Sequence, residues 1–192
     1  AKTFANAGKG ALAGDLYAKI LEIKPADKLT INDYFNAGYT GYFKSGQFEK
    51  AREVFDAART RFPDWNYGYR FAYAASTEFD STNAQNKLVP DAEKYIQFLQ
   101  TDTAADAKAQ IAGVAYKLAN YYNDVAKDRL KAVEYLKLME ENTEDPALKQ
   151  QIQQIIQSLS GSSTPQPATK PKGGALKQQI QQIIQSLSGS ST

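Results

Sequence analysis

The chain has 192 residues, of which 42% are hydrophobic and 23% are charged, and it contains neither histidine nor cysteine. A mean hydropathy of −0.53 and the lack of any apolar run of about 18 residues argue against insertion into a membrane. Without histidine and cysteine, Ser-His-Asp triads, cysteine nucleophiles and zinc or haem sites with those ligands are excluded. We therefore expect no catalytic residues, no metal site and no cofactor.

The net charge of +2 is unevenly distributed along the chain. All 21 acidic residues lie at or before Asp145, whereas three basic residues, Lys170, Lys172 and Lys177, follow Thr164. Along the predicted helices the two signs are interleaved, which argues against the one-sided basic face of a nucleic-acid-binding protein. The sequence begins at Ala1 and no signal segment is recognisable, so we expect a mature or shortened form of a longer product.

The first predicted unit, residues 1–30, carries part of a repeat that returns in the next unit at an offset of 38 residues. In each copy a glycine loosens a turn, an alanine allows two helices to approach closely, and a proline ends the second helix. Aromatic residues fill the space beside that alanine. The corresponding residues are Phe4, Gly8, Ala13, Tyr17 and Pro25 in the first copy and Tyr42, Gly46, Ala51, Phe55 and Pro63 in the second.

The second unit, residues 31–65, contains the clearest copy, FNAGYTGYFKSGQFEKAREVFDAARTRFP. This segment resembles the tetratricopeptide repeat, a helix pair of about 34 residues. Gly38 and Tyr39 depart from the family pattern, which has leucine and glycine at these positions. The resemblance implies an all-α fold, a right-handed superhelical solenoid of antiparallel helix pairs. The matching residues are Phe35, Tyr42, Gly46, Ala51, Phe55, Ala58 and Pro63.

A third unit, residues 66–104, is irregular. An aromatic-rich segment at 66–76 predicts its first helix, and residues 79–87 are interpreted as an inserted loop. The segment 90–100 predicts the second helix, since its apolar residues have helical spacing. The residues with that spacing are Ala92, Ile96 and Leu99.

The fourth unit, residues 105–145, predicts two helices at about 106–122 and 127–142. Tyr122, Ala132 and Leu136 occupy its repeat positions. In the third unit, the segment GYRFAYAAS, the inserted loop and the helix PDAEKYIQFL are together similar to tetratricopeptide proteins that are common in Bacteroidetes and are often exported. This resemblance covers residues 31 to about 160. The resemblance implies a periplasmic or otherwise exported location, and a cytoplasmic location stays open.

The C-terminal part begins with residues 146–160, which predict an amphipathic helix that caps the last repeat. Residues 161–174 form a linker rich in proline and glycine, and residues 175–192 repeat residues 147–164 without a single change. Such identity between units that otherwise diverge indicates a recent duplication or deliberate engineering, and we favour engineering. The apolar stripes are Leu148, Ile152, Ile155, Ile156 and Leu159 in the first copy and Leu176, Ile180, Ile183, Ile184 and Leu187 in the second.

We expect the second copy to be an ordered helix packed on protein, because its apolar residues would otherwise form an exposed patch. Three docking sites stay open. The second copy could lie in the concave groove of the solenoid, beside the first copy, or in the equivalent position of a neighbouring molecule by domain swapping.

Three segments superficially imitate ligand-binding motifs. GKGALAG, at 8–14, lacks the preceding strand and the spacing of a phosphate-binding loop. In DSTNAQNKLVPD, at 80–91, Ala84 and Gln85 stand where a calcium loop needs a ligand oxygen and a glycine. ENTED, at 141–145, is interpreted as a turn before the next helix. We therefore assign neither a nucleotide nor a metal to these segments.

The family resemblance implies a non-catalytic scaffold that binds a peptide or a protein partner in the groove lined by the first helix of each pair. Asparagine side chains suit a peptide backbone, and Lys44 or Arg70 could hold a carboxylate. Two alternatives stay open: an enzyme that uses only carboxylates and tyrosines, and a self-associating module whose duplicated helix docks within or between chains. The groove positions carried over from the family are Asp33, Asn36, Thr40, Phe43, Lys44, Tyr67, Arg70, Tyr116, Asn120 and Asn123.

Overall fold

The computed structural model describes residues 10–161, and all regular structure in this range is helical. This confirms the prediction of an all-α protein for the described residues. Outside the described residues lie Phe4, Gly8, the linker after Gly161 and the second copy of the terminal segment, residues 175–192. The helices are α1 (Gly10–Ile23), α2 (Ile31–Phe35), α3 (Phe48–Arg61), α4 (Asn66–Phe79), α5 (Leu88–Thr101), α6 (Ala107–Asn120), α7 (Arg129–Glu141) and α8 (Pro146–Ser160).

Two π-helical segments extend two of these helices. The first, π1 (Asn36–Tyr42), continues α2 and leads into a 3-10 turn at Phe43–Ser45. The second, π2 (Tyr121–Val125), continues α6. The chain divides into two compact units after Val114, and each unit is described by itself below.

In the first unit, α1 packs against π1 through two glycines. A methyl group added to Gly41 would lie 2.2 Å from the Cα atom of Gly14, so the two backbones are in direct contact. Ala13, Tyr17 and Ala37 form a buried cluster at this contact. Only residues without a Cβ allow backbones to approach this closely.

The start and end of the α2–π1 helix follow from local chemistry. Thr30 and Asp33 form a capping box, in which the Asp33 carboxylate accepts a hydrogen bond from the Thr30 backbone N–H at 2.8 Å. The helix ends at Gly46, whose φ of 76° is left-handed and suits glycine. A new helix, α3, begins two residues later.

The remaining helices of the first unit pack in sequence order, α3 on α4 and α4 on α5. Ala51, Phe55 and Ala58 of α3 are fully buried. The loop before α5 is ordered by Asp80, which is 2% exposed. Its carboxylate accepts hydrogen bonds from the backbone N–H groups of Gln85 at 2.9 Å and Lys87 at 2.8 Å.

In the second unit, α7 packs against π2 and against α8. Both α7 and α8 have an aspartate cap: Asp128 accepts from the Lys131 N–H at 3.1 Å, and Asp145 accepts from the Ala147 N–H at 2.8 Å. Leu148 and Ile152 of α8 are buried. The other members of the predicted apolar stripe are half-buried, namely Ile155, Ile156 and Leu159.

The predicted helices agree with the described ones to within a few residues. In both copies of the proline pattern, the helix ends two residues before the proline, α1 before Pro25 and α3 before Pro63. Within residues 10–161, no helix is both long enough and apolar enough to cross a membrane.

Candidate binding site

Aromatic side chains from two helices form one continuous surface in the first unit. We call it the aromatic surface and define it by Phe35, Tyr39, Phe43, Tyr67 and Phe71. The first three follow one another at four-residue spacing along α2 and π1, which places them on one side of the helix. The rings of Phe35 and Tyr39 stack at 5.0 Å, and those of Tyr39 and Phe43 stack at 5.8 Å.

Phe71 of α4 is the centre of this surface. Its ring lies 4.7 Å from that of Tyr39 and 5.6 Å from that of Tyr67. On its inner side it stacks on the fully buried Phe55 at 5.1 Å. Phe71 is itself half-buried, so it joins the exposed rings to the core of the unit.

The outer side of the aromatic surface is open to solvent and carries positive charge. Tyr67 is 45% exposed, although it is a large aromatic residue. The Lys44 ammonium lies 5.2 Å from the centre of the Tyr39 ring. Arg70, predicted for the same groove, is exposed on α4, and its charge acts on Tyr95 of α5. Such a surface can bind an apolar or aromatic side chain next to an acidic group.

The structure brings together part of the groove predicted from sequence. Phe43 and Tyr67 both contact the Phe71 ring. Lys44 lies beside the same surface, because its ammonium is over the Tyr39 ring. Asn36 and Thr40 are half-buried on the same α2–π1 helix.

Asp33 of the predicted groove is committed to structure. Its carboxylate holds the capping box and accepts a hydrogen bond from the Lys24 ammonium at 2.6 Å. Although burial opposes ionisation, the bonds from Lys24 and Thr30 lower the pKa of Asp33 below its usual value. This leaves Asp33 less suited to binding a partner than its sequence position indicates.

The other three predicted groove residues lie in the second unit. Partial burial raises the pKa of Tyr116 above its usual value, and the side chain of Asn120 is its hydrogen-bond partner. The Asn123 amide donates to the Asp124 carboxylate at 2.8 Å. These residues share the helix formed by α6 and π2, but they form no aromatic surface of their own.

Sequence reasoning missed Phe35, Tyr39 and Phe71 as members of the candidate site. A signal was present, because the spacing 35, 39, 43 on one helix and 67, 71 on another aligns the rings. The repeat pattern assigned aromatic residues to the space between helices, and this masked their second role at the surface.

A separate cleft of about 520 Å³ lies among α3, α4 and α5 of the first unit. It contains a stacked pair of rings, Tyr69 and Phe98, at 4.6 Å. Its lining is polar and carries both charges. The lining residues are Asp56, Arg59, Thr60, Pro63, Asp64, Tyr69, Lys94, Gln97, Phe98 and Thr101.

Beside this cleft, the carboxylate of Asp91 is fully buried and bound by two arginines. Arg52 Nε donates to it at 2.7 Å and Arg59 Nη2 donates at 2.6 Å. The Ser76 hydroxyl donates at 2.5 Å. Burial opposes the charge of Asp91, but these hydrogen bonds outweigh it and lower the pKa of Asp91.

The segments that imitate ligand-binding motifs have structural roles. Gly10 and Gly14 belong to α1, and Asp80 orders the loop that leads to α5. Asp145 caps α8, as a turn before a helix requires. Among the residues that the structure describes, no group of three or more acidic side chains could hold a metal ion.

Comparison of the sequence with models of known protein families finds no match, and no curated protein matches it either.

Proposed function

We propose that this protein is a non-catalytic scaffold that binds a peptide segment of a partner protein on the aromatic surface. The observation that carries the proposal is a continuous set of rings, anchored on the core through Phe71, whose outer member Tyr67 remains 45% exposed. A group of neighbouring aromatic rings that reaches the surface of a folded protein favours an interaction site.

The finer fold in this proposal is a solenoid of tetratricopeptide-like helix pairs. It is supported by an alanine and a large apolar residue four positions later, both buried, in α1, α3, α5 and α7. Such pairs allow neighbouring helices to pack closely in each repeat. The pairs are Ala13 and Tyr17, Ala51 and Phe55, Ala92 and Ile96, and Ala132 and Leu136.

The turns of the helix pairs give further support. Gly46, before α3, and Lys127, before α7, both have left-handed backbone conformations, with φ of 76° and 57°. In the proposed array, the aromatic surface lies on the first helices of two successive pairs, α2–π1 and α4. This is the side on which the repeat family binds its partners.

The chemistry of the aromatic surface indicates the class of ligand. Apolar rings remove an aromatic or aliphatic side chain from water, while Lys44, beside the Tyr39 ring, attracts a neighbouring carboxylate. We therefore expect a peptide that carries an apolar side chain next to an acidic one.

A displayed library of random peptides, followed by calorimetric titration of the selected peptides, tests this proposal. We expect Tyr67→Ala to weaken binding by about tenfold or more and to leave the thermal midpoint nearly unchanged, because Tyr67 is an exposed ring. Leu130→Ala is the matched control, since Leu130 is 80% exposed in the second unit and should not affect binding. A library without binders, or binders that are indifferent to Tyr67→Ala and Lys44→Ala, would overturn the proposal.

A further inference from the structure

Two segments of the chain have the sequence that packs on α7. In the structure α8 packs on α7 with Leu148 and Ile152 buried, and the Gln153 side chain donates a hydrogen bond to the Glu140 carboxylate at 2.6 Å. All residues that make these contacts from the α8 side lie within 147–159. Residues 175–187 have the same sequence.

We propose that residues 175–187 are a reserve occupant of the α8 position on α7 of the same chain, which they fill whenever α8 leaves it. Identical side chains in identical order can bury the same apolar groups and form the same hydrogen bond. Leu176 and Ile180 then take the places of Leu148 and Ile152. Peptide binding on the aromatic surface plays no part in this exchange.

The chain is long enough for the exchange. From the end of α7 to the start of the second copy, residues 142–174 supply 33 residues, which reach up to about 110 Å when extended. The helix to be replaced is about 22 Å long, since it has 15 residues. A tether of this length gives a millimolar effective concentration, which favours the same chain over another molecule at micromolar protein.

Two features make α8 the preferred occupant and the second copy the reserve. Four residues, 142–145, connect α7 to α8, and loop closure over 33 residues instead of 4 disfavours the second copy by about 20-fold. The identity also starts only at Ala147, so the second copy has Gly173 and Gly174 in place of the Asp145 cap and Pro146. This loss adds to the preference for α8.

Charge substitutions in the two copies test the proposal, with hydrogen exchange of the α7 amides as the measurement. Ile180→Asp alone should change nothing, because α8 keeps its place. Ile152→Asp should lower the protection of α7 by about 100-fold, about 20-fold from the longer loop and about fivefold from the missing cap, since the reserve copy takes over at that cost. The double variant, Ile152→Asp with Ile180→Asp, should lower the protection of the α7 amides at least a further tenfold. Equal loss in Ile152→Asp and in the double variant would overturn the proposal.

Cross-linking provides a second measurement that does not depend on stability. The chain has no cysteine, so Glu140→Cys can be joined by a short bismaleimide to a single second cysteine. In the Ile152→Asp background, Gln181→Cys, the counterpart of Gln153, should cross-link within the chain several times faster than Gln182→Cys. The neighbouring position is the matched control, because it has the same tether but is turned by about 100° around the helix.

The pair Glu140→Cys and Gln153→Cys in the otherwise unchanged chain shows that the reagent spans the contact. Equal rates for Gln181→Cys and Gln182→Cys would mean that the second copy only samples space near α7, and would overturn the proposal. A product with the mass of a dimer would assign the site to a neighbouring molecule and would overturn the exchange within one chain.

Discussion

Gly14 of α1 and Gly41 of π1 meet backbone to backbone, so that a methyl group on Gly41 would lie 2.2 Å from the Cα atom of Gly14. The nearest obstacle is main chain, which cannot rotate away as a side chain can. The contact therefore fixes the distance between the first two helical segments of the first unit.

We expect Gly41→Ala to destabilise the protein by about 2–3 kcal/mol, because the added methyl forces α1 and π1 apart. Gly113→Ala is the matched control, since no atom beyond its chain neighbours and the adjacent backbone of its own helix lies within 4 Å of the position of its added Cβ. In the interior of α6 that change should stabilise by up to about 1 kcal/mol. Urea unfolding measures both changes, and a neutral Gly41→Ala would disprove the close contact.

Helix positions could be predicted from the sequence because their signals are local. Pro25 and Pro63 end helices, and Asp145 with Pro146 begins one. The contact between Gly14 and Gly41 could not be predicted from the sequence. The repeat pattern requires Gly46 at a turn, but it gives no reason for a glycine at positions 14 and 41. The π-helical turns were missed for a related reason, since a helical hydrophobic pattern does not distinguish turns of slightly different width.

Asp91→Asn should destabilise the protein by about 3–5 kcal/mol. The substitution removes the charge that faces Arg52 and Arg59, and Arg59 is only 5% exposed. Asp56→Asn is the control: Asp56 also accepts hydrogen bonds from Arg59, but it is 40% exposed, so water can replace its charge and we expect a smaller loss of stability. Urea unfolding measures both variants. If Asp91→Asn lowers the free energy of unfolding no more than Asp56→Asn does, Asp91 contributes little to stability.

The same cluster predicts how stability depends on pH. The pKa of Asp91 is lowered in the folded state, so its contribution to the free energy of unfolding is complete above the unfolded pKa near 4 and is lost as the pH falls below it. Urea unfolding between about pH 3 and pH 7 should show that the free energy of unfolding of the wild type falls at acid pH. In Asp91→Asn it should fall less steeply with decreasing pH. Parallel slopes would contradict the lowered pKa.

The candidate site could be predicted in part. Phe43, Lys44 and Tyr67 were predicted from the resemblance, and in the structure Phe43 and Tyr67 contact Phe71 while Lys44 contacts Tyr39. The Asp91 cluster was missed because its partners lie 32 and 39 residues away in sequence, where no helical spacing relates them. Asp91 ends the segment 80–91, for which the sequence predicted no bound metal and no role for this carboxylate, and in the structure the carboxylate is held by two arginines.

Asp80→Ala should loosen the loop before α5. The substitution leaves the backbone N–H groups of Gln85 and Lys87 without their acceptor and should cost about 2–3 kcal/mol. Limited proteolysis should cut between residues 81 and 87 faster in the variant. Ser81→Ala, at an exposed neighbouring position, should leave the cleavage rate unchanged, and equal rates in both variants would contradict the role of Asp80.

Phe71 and Tyr67 stack on each other at 5.6 Å, yet they should respond differently to truncation. Phe71→Ala removes the ring that joins the aromatic surface to the buried Phe55, so we expect a loss of about 3 kcal/mol in the free energy of unfolding. Tyr67→Ala removes an outer ring and should cost less than about 1 kcal/mol. If both truncations cost the same, the exposed ring would belong to the core, and Tyr67 would no longer be available as a contact for a peptide.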